Sequence, residues 1–378
     1  MRANPGRWST YFLRRGGDFH EFWREYLSST NRNILFVLGL GFDPRMCLGY
    51  EAVLQAGGKG RRDCKVVELD EGPSSPSLRH SDLTRANGER LEQLVPDGSV
   101  KTDTQVAMWS KDGRRVGSRV AANLFSDTKD FAGYTDLVID VSAMPRSVYF
   151  PLIGKLLYLE DSSYGRDIAS RPPNLHVLVS ENAQLDANIT DEGIDDDASY
   201  VHGFTGNLET EGAAGAPKVW IPILGEKKGP QLERIYNKVL PEEICPLVPM
   251  PSGNPRRVDE LLIEYRELLF DRLRVEPRNF IYAAEKNPFE VYREVYRTVR
   301  RYDRSLKSLG PCQVAISALS SKLLSIGALL AAYELKEQDV GVAHVESQGY
   351  YMERQLDTEE LKNTELTTLW IAGDCYNE

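Results

Sequence analysis

An uncharged apolar run that ends in Gly-x-Gly is the feature that most constrains this chain. Residues 34–40 read Ile-Leu-Phe-Val-Leu-Gly-Leu, and Gly-Phe-Asp-Pro-Arg follows at 41–45. Apolar runs of this length are typical of a strand buried on both faces of a parallel sheet. Glycines at its carboxyl end let the backbone turn tightly and approach a ligand. Because ligands of open α/β sheets bind at that edge, the run predicts a site for a nucleotide-like small molecule.

Strand-like and helix-like segments alternate along most of the chain. Apolar strand-like runs at 33–39, 136–141 and 313–317 are each followed by a polar turn and a helical segment. This alternation predicts parallel βαβ units. We therefore expect an α/β fold with two Rossmann-like halves, mainly parallel sheets and an amphipathic N-terminal helix over 8–31.

An acidic stretch rich in Asp, Gly and Thr separates the two predicted halves. We expect a Rossmann-like domain with the N-terminal helix at 1–183 and a second α/β domain at 218–378. Between them, residues 184–217 have few apolar side chains that would anchor them, which predicts a mobile loop or lid.

Composition excludes several classes of protein. The 378 residues carry a net charge of -10, which does not favour a dedicated nucleic-acid binder. Arg297, Arg300, Arg301 and Arg304 recur at helical spacing and are expected to form a solvated helix face. No apolar run of membrane-spanning length occurs. The five cysteines are far apart and lack a Cys-x-x-Cys pair, which indicates neither disulfides nor zinc and favours the cytoplasm.

The first candidate site combines the glycine turn with acids at the end of the next predicted strand. Its residues are Gly39, Gly41, Asp43, Arg45, Glu68 and Asp70. A glycine turn can approach an adenosine-containing ligand, and an acid after the second strand accepts hydrogen bonds from ribose hydroxyls. These residues resemble the Gly-x-Gly-x-Asp-x-Arg and Glu-x-Asp motifs of the leucine carboxyl methyltransferase group of S-adenosylmethionine enzymes. The resemblance is confined to the N-terminal part of the chain.

The resemblance implies S-adenosylmethionine as the ligand. Arg45 would then hold the methionyl carboxylate, and Glu68 or Asp70 the ribose. Pro44 departs from the family pattern, which has a small polar residue there. A purely structural interpretation fits the same residues: Asp43 caps the following helix and Arg45 forms a salt bridge.

The second candidate site follows the apolar strand at 136–141 and consists of Asp140, Ser142 and Arg146. A carboxylate inside an apolar strand is costly to bury without a partner. Arg146 is a candidate partner for Asp140 or for an anionic ligand at the next helix N-terminus. Ser142 as a helix cap and Arg146 as a surface charge fit the sequence equally well.

The third candidate site is Ser320, Ser321 and Lys322, between an apolar strand and an apolar helix. Such a turn offers hydroxyls, backbone N–H groups and one cation to an anion. It resembles the strand-turn-helix element of CARF-type sensor domains, which implies a cyclic oligonucleotide as ligand. A serine-rich helix cap is the structural alternative.

Together these patterns favour a Rossmann-like binder of an adenosine-containing or other anionic small ligand. Methyl transfer from S-adenosylmethionine is the enzymatic version, and the cofactor stays open between it and another nucleotide-like ligand. The alternative is a non-catalytic sensor or assembly subunit with protein partners in a bacterial multi-protein system, for example in antiviral defence. The sequence has no recognisable nucleophile, metal or kinase motif, so it assigns no catalytic residue.

Overall fold

Helices and strands alternate through the chain, and the protein has the predicted α/β fold. The computed structural model describes residues 6–162, 172–209, 215–306, 310–355 and 358–376. The strands are β1 (Phe12–Arg15), β2 (Ile34–Leu40), β3 (Arg62–Asp70), β4 (Lys101–Ala107), β5 (Asp136–Asp140), β6 (Asn174–Glu181), β7 (Ile189–Asp191), β8 (Ser199–Tyr200), β9 (Lys218–Ile223), β10 (Glu243–Ile244), β11 (Leu247–Pro249), β12 (Ile281–Ala283), β13 (Gln313–Ala318), β14 (Val340–His344), β15 (Tyr350–Met352) and β16 (Glu365–Ala372). The helices are α1 (Gly17–Ser29), α2 (Leu48–Gln55), α3 (Ser81–Leu94), α4 (Gly117–Ala122), α5 (Arg146–Asp161), α6 (Ala183–Asn188), α7 (Gly229–Val239), α8 (Arg257–Glu264), α9 (Pro288–Leu306), α10 (Lys322–Glu334) and α11 (Thr358–Lys362).

The chain divides into two compact units whose boundaries differ from the predicted ones. The terminal unit consists of Tyr11–Gly193 and Ser347–Glu378, and the central unit of Met1–Thr10 and Ile194–Glu346. The C-terminal segment belongs with the first sheet because β16 pairs antiparallel with β6. Pairing between strands so far apart in sequence leaves no local signal, so the predicted division at 184–217 missed it.

The terminal unit contains a seven-stranded sheet in the order β1-β16-β6-β5-β2-β3-β4. Five of these strands, β6 to β4 in that order, are parallel. The chain starts in the middle at β2, moves outwards through β3 and β4, and then returns to the other side of β2 with β5 and β6. The winding therefore reverses between β2 and β5, which is the point where ligands bind in open α/β sheets.

The central unit repeats this winding with different residues. Its sheet runs β12-β11-β9-β13-β14-β8, and the strands from β12 to β14 are parallel. The chain again starts in the middle, at β9, and reverses between β9 and β13. Both predicted Rossmann-like halves are therefore present.

The sequence of β2 explains its central place. Its burial pattern shows Ile34 to Gly39 excluded from solvent, as expected for a strand covered on both faces. On one face, α1 contributes Phe19, Trp23 and Leu27 to the same apolar cluster as Phe36. These helix residues recur every four positions and so form one face of α1.

The N-terminal segment differs in part from the single helix predicted over 8–31. It contains β1, which pairs antiparallel with β16, and then α1. Gly16 separates the two elements and has a φ of 56°, in the left-handed region that favours glycine. Its backbone conformation allows the chain to turn from the edge of the sheet into the helix that covers it.

The acidic stretch 184–217 contains regular structure where it is described. Asn182 caps α6 by accepting hydrogen bonds from Gln184 N and Leu185 N, and Leu185 is fully buried. β7 pairs with β15, and β8 pairs with β14. This part is therefore not an irregular loop, and its predicted mobility stays a prediction. Residues 210–214 lie outside the described part. None of the described helices is long and apolar enough to cross a membrane.

A buried polar network lies at the amino-terminal end of β5 and β6. Asp136 accepts hydrogen bonds from the Tyr26 hydroxyl at 2.6 Å and from His176 Nε2 at 3.3 Å, and it pairs with Arg32 at 3.4 Å. Burial raises the pKa of Asp136, but hydrogen bonds from His176, Thr135 and Tyr26 outweigh it and lower the pKa to about 2. Burial lowers the pKa of His176 despite the adjacent carboxylate. His176 is thus neutral and donates from Nε2.

We expect His176 to make the protein less stable at pH 5 than at pH 7. An unfolded histidine gains a proton as the pH falls through about 6.5, whereas folded His176, with its lowered pKa, resists protonation. Asp136 adds nothing to this difference, because its stabilising contribution is lost only as the pH falls from about 4 towards about 2.

Urea unfolding of a His176→Gln variant at both pH values tests this expectation. At pH 7 the unfolding free energy of the variant should be about 1–3 kcal/mol below that of the wild type, because a hydrogen bond is lost. It should also depend less on pH than that of the wild type. His20→Gln, at an exposed position of the same unit, is the control. An unchanged pH dependence in His176→Gln would contradict the assignment.

Candidate functional site

Of the two glycines of the sequence motif, Gly39 lies near the end of β2 and Gly41 in the turn that follows it. A Cβ atom on Gly39 would lie 2.9 Å from Met144 Cγ and 3.1 Å from the Ala143 carbonyl oxygen. Gly39 therefore lets the loop after β5 pack on β2, and protein atoms occupy the space beside it. A Cβ on Gly41 would meet no described atom within 4 Å outside its chain neighbours. The open position of this segment is thus Gly41.

Asp43 and Arg45 form a buried ion pair directly after the turn. Asp43 accepts from Arg45 N at 2.9 Å and Arg45 Nε at 3.0 Å, and Arg45 Nη2 lies 2.8 Å from Asp43 Oδ2. Arg45 Nη1 also donates to Asp186 Oδ1 at 2.6 Å and to the Ser180 carbonyl at 3.3 Å. Arg45 is only 3% exposed. The capping and salt-bridge geometry expected from the structural interpretation is therefore present.

Arg45 keeps its positive charge because its pKa is raised. Burial alone would lower its pKa, but Asp43 and Asp186 outweigh burial and raise it. The two carboxylates differ in accessibility: the Asp43 side chain is 13% exposed and the Asp186 side chain 53%. Asp186 is therefore the partner that another carboxylate, from a ligand, could replace at lower cost.

Backbone amides after the turn are already used within it. Pro44 has no N–H group, and Arg45 N donates to the Asp43 side chain. Met46 N donates to the Asp43 carbonyl, and Leu48 N to the Arg45 carbonyl. A diphosphate needs such amides at a helix N-terminus. The amides of Arg45, Met46 and Leu48 are therefore not offered to a diphosphate.

Asn87, on α3, fixes the turn from the side. Its Nδ2 donates to the Gly41 carbonyl at 2.8 Å and to the Asp43 carbonyl at 3.2 Å. Sequence reasoning missed this residue, since a polar side chain within a predicted helix has no local feature that points to a distant turn. The two bonds hold the open position at Gly41 in one conformation.

The predicted acids stand at the end of β3, next to the turn. Glu68 lies opposite Leu40 of β2 and Gln105 of β4 in the parallel register. Glu68 and Asp70 share one face of the strand and are both exposed. Asp70 accepts from Gly72 N at 3.0 Å, whereas the carboxylate of Glu68 has no hydrogen-bond partner among the described residues. Glu68 is therefore available to a ligand at the Gly41 opening.

The second candidate set lies at the same edge but bonds to the protein itself. Asp140 is 1% exposed, and its Oδ1 accepts from Ser142 N at 2.9 Å. Ser142 Oγ accepts from Ser180 N at 2.9 Å and so ties the loop after β5 to β6 instead of capping α5. Arg146 is the first residue of α5. A Cβ on Gly49 would lie 2.5 Å from Asp140 Oδ2, so α2 also packs on this carboxylate.

The third candidate set belongs to the central unit. Ser321 caps α10 by accepting from Leu324 N at 3.4 Å, as the structural alternative proposed. Ser320 is 7% exposed, and Lys322 is the partly exposed first residue of α10. A Cβ on Gly225, which follows β9, would overlap the Leu319 carbonyl. The loop after β13 therefore packs on the loop after β9, as the loop after β5 packs on β2 in the terminal unit.

The chain matches no protein-family model and no curated protein. Among the described residues, no group of three or more His, Cys, Asp or Glu side chains is arranged to hold a metal ion.

Replacing each glycine by alanine should separate packing from ligand access. We expect Gly39→Ala to lower the unfolding free energy by about 1–3 kcal/mol, because its Cβ would overpack against Met144 and Ala143. Gly41→Ala should change it by about 0.5 kcal/mol or less, since the position is open. Urea unfolding of the two variants measures the difference. Equal destabilisation would contradict the assignment of Gly39 to packing and Gly41 to the opening.

Proposed function

We propose that the terminal unit binds an adenosine-containing ligand at the carboxyl edge of its sheet. The observation that carries the proposal is the pairing of an open backbone position at Gly41 with an exposed, available carboxylate on Glu68 of the next strand. Both lie near the reversal of the winding between β2 and β5. An acid in this place accepts hydrogen bonds from ribose hydroxyls. Asn87 keeps the turn in position for such contacts.

Charge and hydrogen bonding favour a ligand without a diphosphate. The amides of Arg45, Met46 and Leu48 are used internally, and Arg45 is neutralised by Asp43 and Asp186. Glu68 and Asp70 leave the exposed side of the opening acidic. A polyphosphate would meet like charges there, whereas a nucleoside with a cationic group would be attracted. S-adenosylmethionine combines adenosine with a sulfonium and an ammonium group and therefore fits better than ATP or NAD.

The resemblance assigns the methionyl carboxylate to Arg45, and the geometry adds a condition. Arg45 already pairs with Asp43 and Asp186, so a ligand carboxylate would have to replace Asp186, the more exposed of these two partners. The exchange would conserve the charge around Arg45 and keep its guanidinium paired. Methyl transfer from a sulfonium depends mainly on holding donor and acceptor in line. A site made of the turn after β2 and the carboxylate of Glu68 is consistent with such positioning.

A sensor is the second candidate function, and the charges of the central unit favour it. Lys227 and Lys228 follow β9, and Lys322 follows β13, the neighbouring strand in the parallel register. These three lysines give the loops at this reversal point a positive character that suits an anionic ligand, for example a cyclic oligonucleotide. In that role the chain needs no catalytic residue and reports binding to a partner protein.

Isothermal titration of the purified chain with S-adenosylmethionine, ATP and NAD tests the first proposal. We expect S-adenosylmethionine to bind most tightly. Glu68→Gln should raise its dissociation constant roughly tenfold, because a charge-assisted hydrogen bond contributes about 1.5–3 kcal/mol. The control Glu25→Gln removes an exposed acid on α1 and should leave binding unchanged.

Thermal unfolding of the free variants should agree within a degree or two, since both side chains are exposed and such substitutions cost little. Tighter binding of ATP or NAD, or an S-adenosylmethionine affinity unaffected by Glu68→Gln, would reject the proposed site. Binding of a cyclic oligonucleotide alone, lost in Lys322→Gln, would support the sensor.

A further inference from the structure

Helix α9 of the central unit has one buried face and one strongly basic face. Its buried side chains include Phe289, Tyr292, Val295 and Val299, which face the interior of the unit. The solvent side carries five arginines and no lysine. They are Arg293, Arg297, Arg300, Arg301 and Arg304, called here the arginine face.

The arginine face is a compact row. Successive residues of an α-helix are about 100° apart around its axis, so these five positions fall within an arc of about 100°. The row from Arg293 to Arg304 extends over roughly 17 Å at about 1.5 Å per residue. Arg297, Arg301 and Arg304 are exposed, and Arg293 and Arg300 are partly exposed.

Acidic partners neutralise little of this charge. Arg297 pairs with Glu294 at 2.7 Å, but no ion pair joins the other four arginines to any residue in the described part of the chain. Glu290 accepts from Ala284 N at 2.9 Å and so faces the start of α9. Asp303 is exposed beside the row and forms no ion pair with its arginines. Arg300 lies over the ring of Tyr296 at 5.5 Å. Stacking of this kind limits the freedom of a guanidinium.

We propose that the arginine face binds the phosphate backbone of nucleic acid. Guanidinium groups present donors in a planar fork that matches phosphate oxygens, and a row of them follows a chain of phosphates. A protein partner would need apolar or aromatic anchors at the centre of its interface. None of the large exposed apolar side chains of the described residues lies on α9, so the face lacks such anchors.

The acidic net charge of the chain does not oppose this binding at physiological salt. Exposed charges are screened beyond about 8 Å at 0.15 M ionic strength, so a bound phosphate responds mainly to the local arginines. The helical spacing of four of these arginines predicted only a solvated helix face. The structure adds that, among the described residues, only Arg297 of the five has an acidic partner.

Fluorescence anisotropy with labelled single-stranded and duplex DNA and RNA of mixed sequence tests the proposal on the full chain. We expect dissociation constants in the range of about 10⁻⁶–10⁻⁴ M at physiological salt, as for backbone-dominated binding. The triple variant Arg297→Gln, Arg300→Gln, Arg304→Gln should weaken binding roughly tenfold or more. It should also reduce the slope of log K against log salt by about 2–3, since each lost phosphate contact removes about 0.9.

A matched control removes three other exposed arginines of the central unit: Arg256→Gln, Arg266→Gln, Arg278→Gln. It changes the net charge equally and should retain most of the affinity and the slope. Circular-dichroism melting of both triple variants checks that the fold is kept. Preference among the four nucleic acids identifies the form that is bound.

Three outcomes would overturn the proposal. The wild type fails to bind any of the nucleic acids, or the control loses as much affinity as the arginine-face variant. Alternatively, polyglutamate binds as tightly as nucleic acid with the same dependence on Arg297, Arg300 and Arg304, which would identify an acidic protein segment as the partner.

Discussion

The close approach of two loops at the point where each sheet reverses its winding underlies the rest of this structure. In the terminal unit the loop after β5 packs on Gly39, and in the central unit the loop after β13 packs on Gly225. A side chain at either glycine would overlap the opposite loop, so a residue without Cβ is required. This contact fills the inner part of the crevice with protein. The open backbone position lies two residues further along the chain, at Gly41.

Identical winding in the two units does not give their sheet edges the same charged side chains. The edge of the terminal sheet carries Glu68 and Asp70, whereas the loops at the corresponding edge of the central sheet carry Lys227 and Lys322. Since the backbone arrangement is shared, the side chains determine which charge each edge attracts. The named side chains are acidic at the first edge and basic at the second.

Burying Arg45 is costly, and the way the protein offsets this cost shapes the candidate site. A buried guanidinium needs full pairing, which Asp43 supplies from inside the turn and Asp186 from α6. The inner pair is local and nearly inaccessible, whereas the outer carboxylate is half exposed. Through Asp186, Arg45 therefore ties α6 to the turn after β2.

Local patterns in the sequence determined the α/β class and the strand-turn-helix elements. They also determined that Gly41 and Glu68 lie at the carboxyl edge of a sheet. These features follow from hydrophobic periodicity and turn chemistry within a few residues. Tertiary structure alone decided that β16 completes the first sheet, that Asn87 and Asp186 hold the glycine turn and Arg45, and that Gly39 serves packing. It also decided that four of the five arginines on α9 form no ion pair with the described residues. Each of these depends on which distant segments the packing brings together, and such contacts have no signature in the local order of residues.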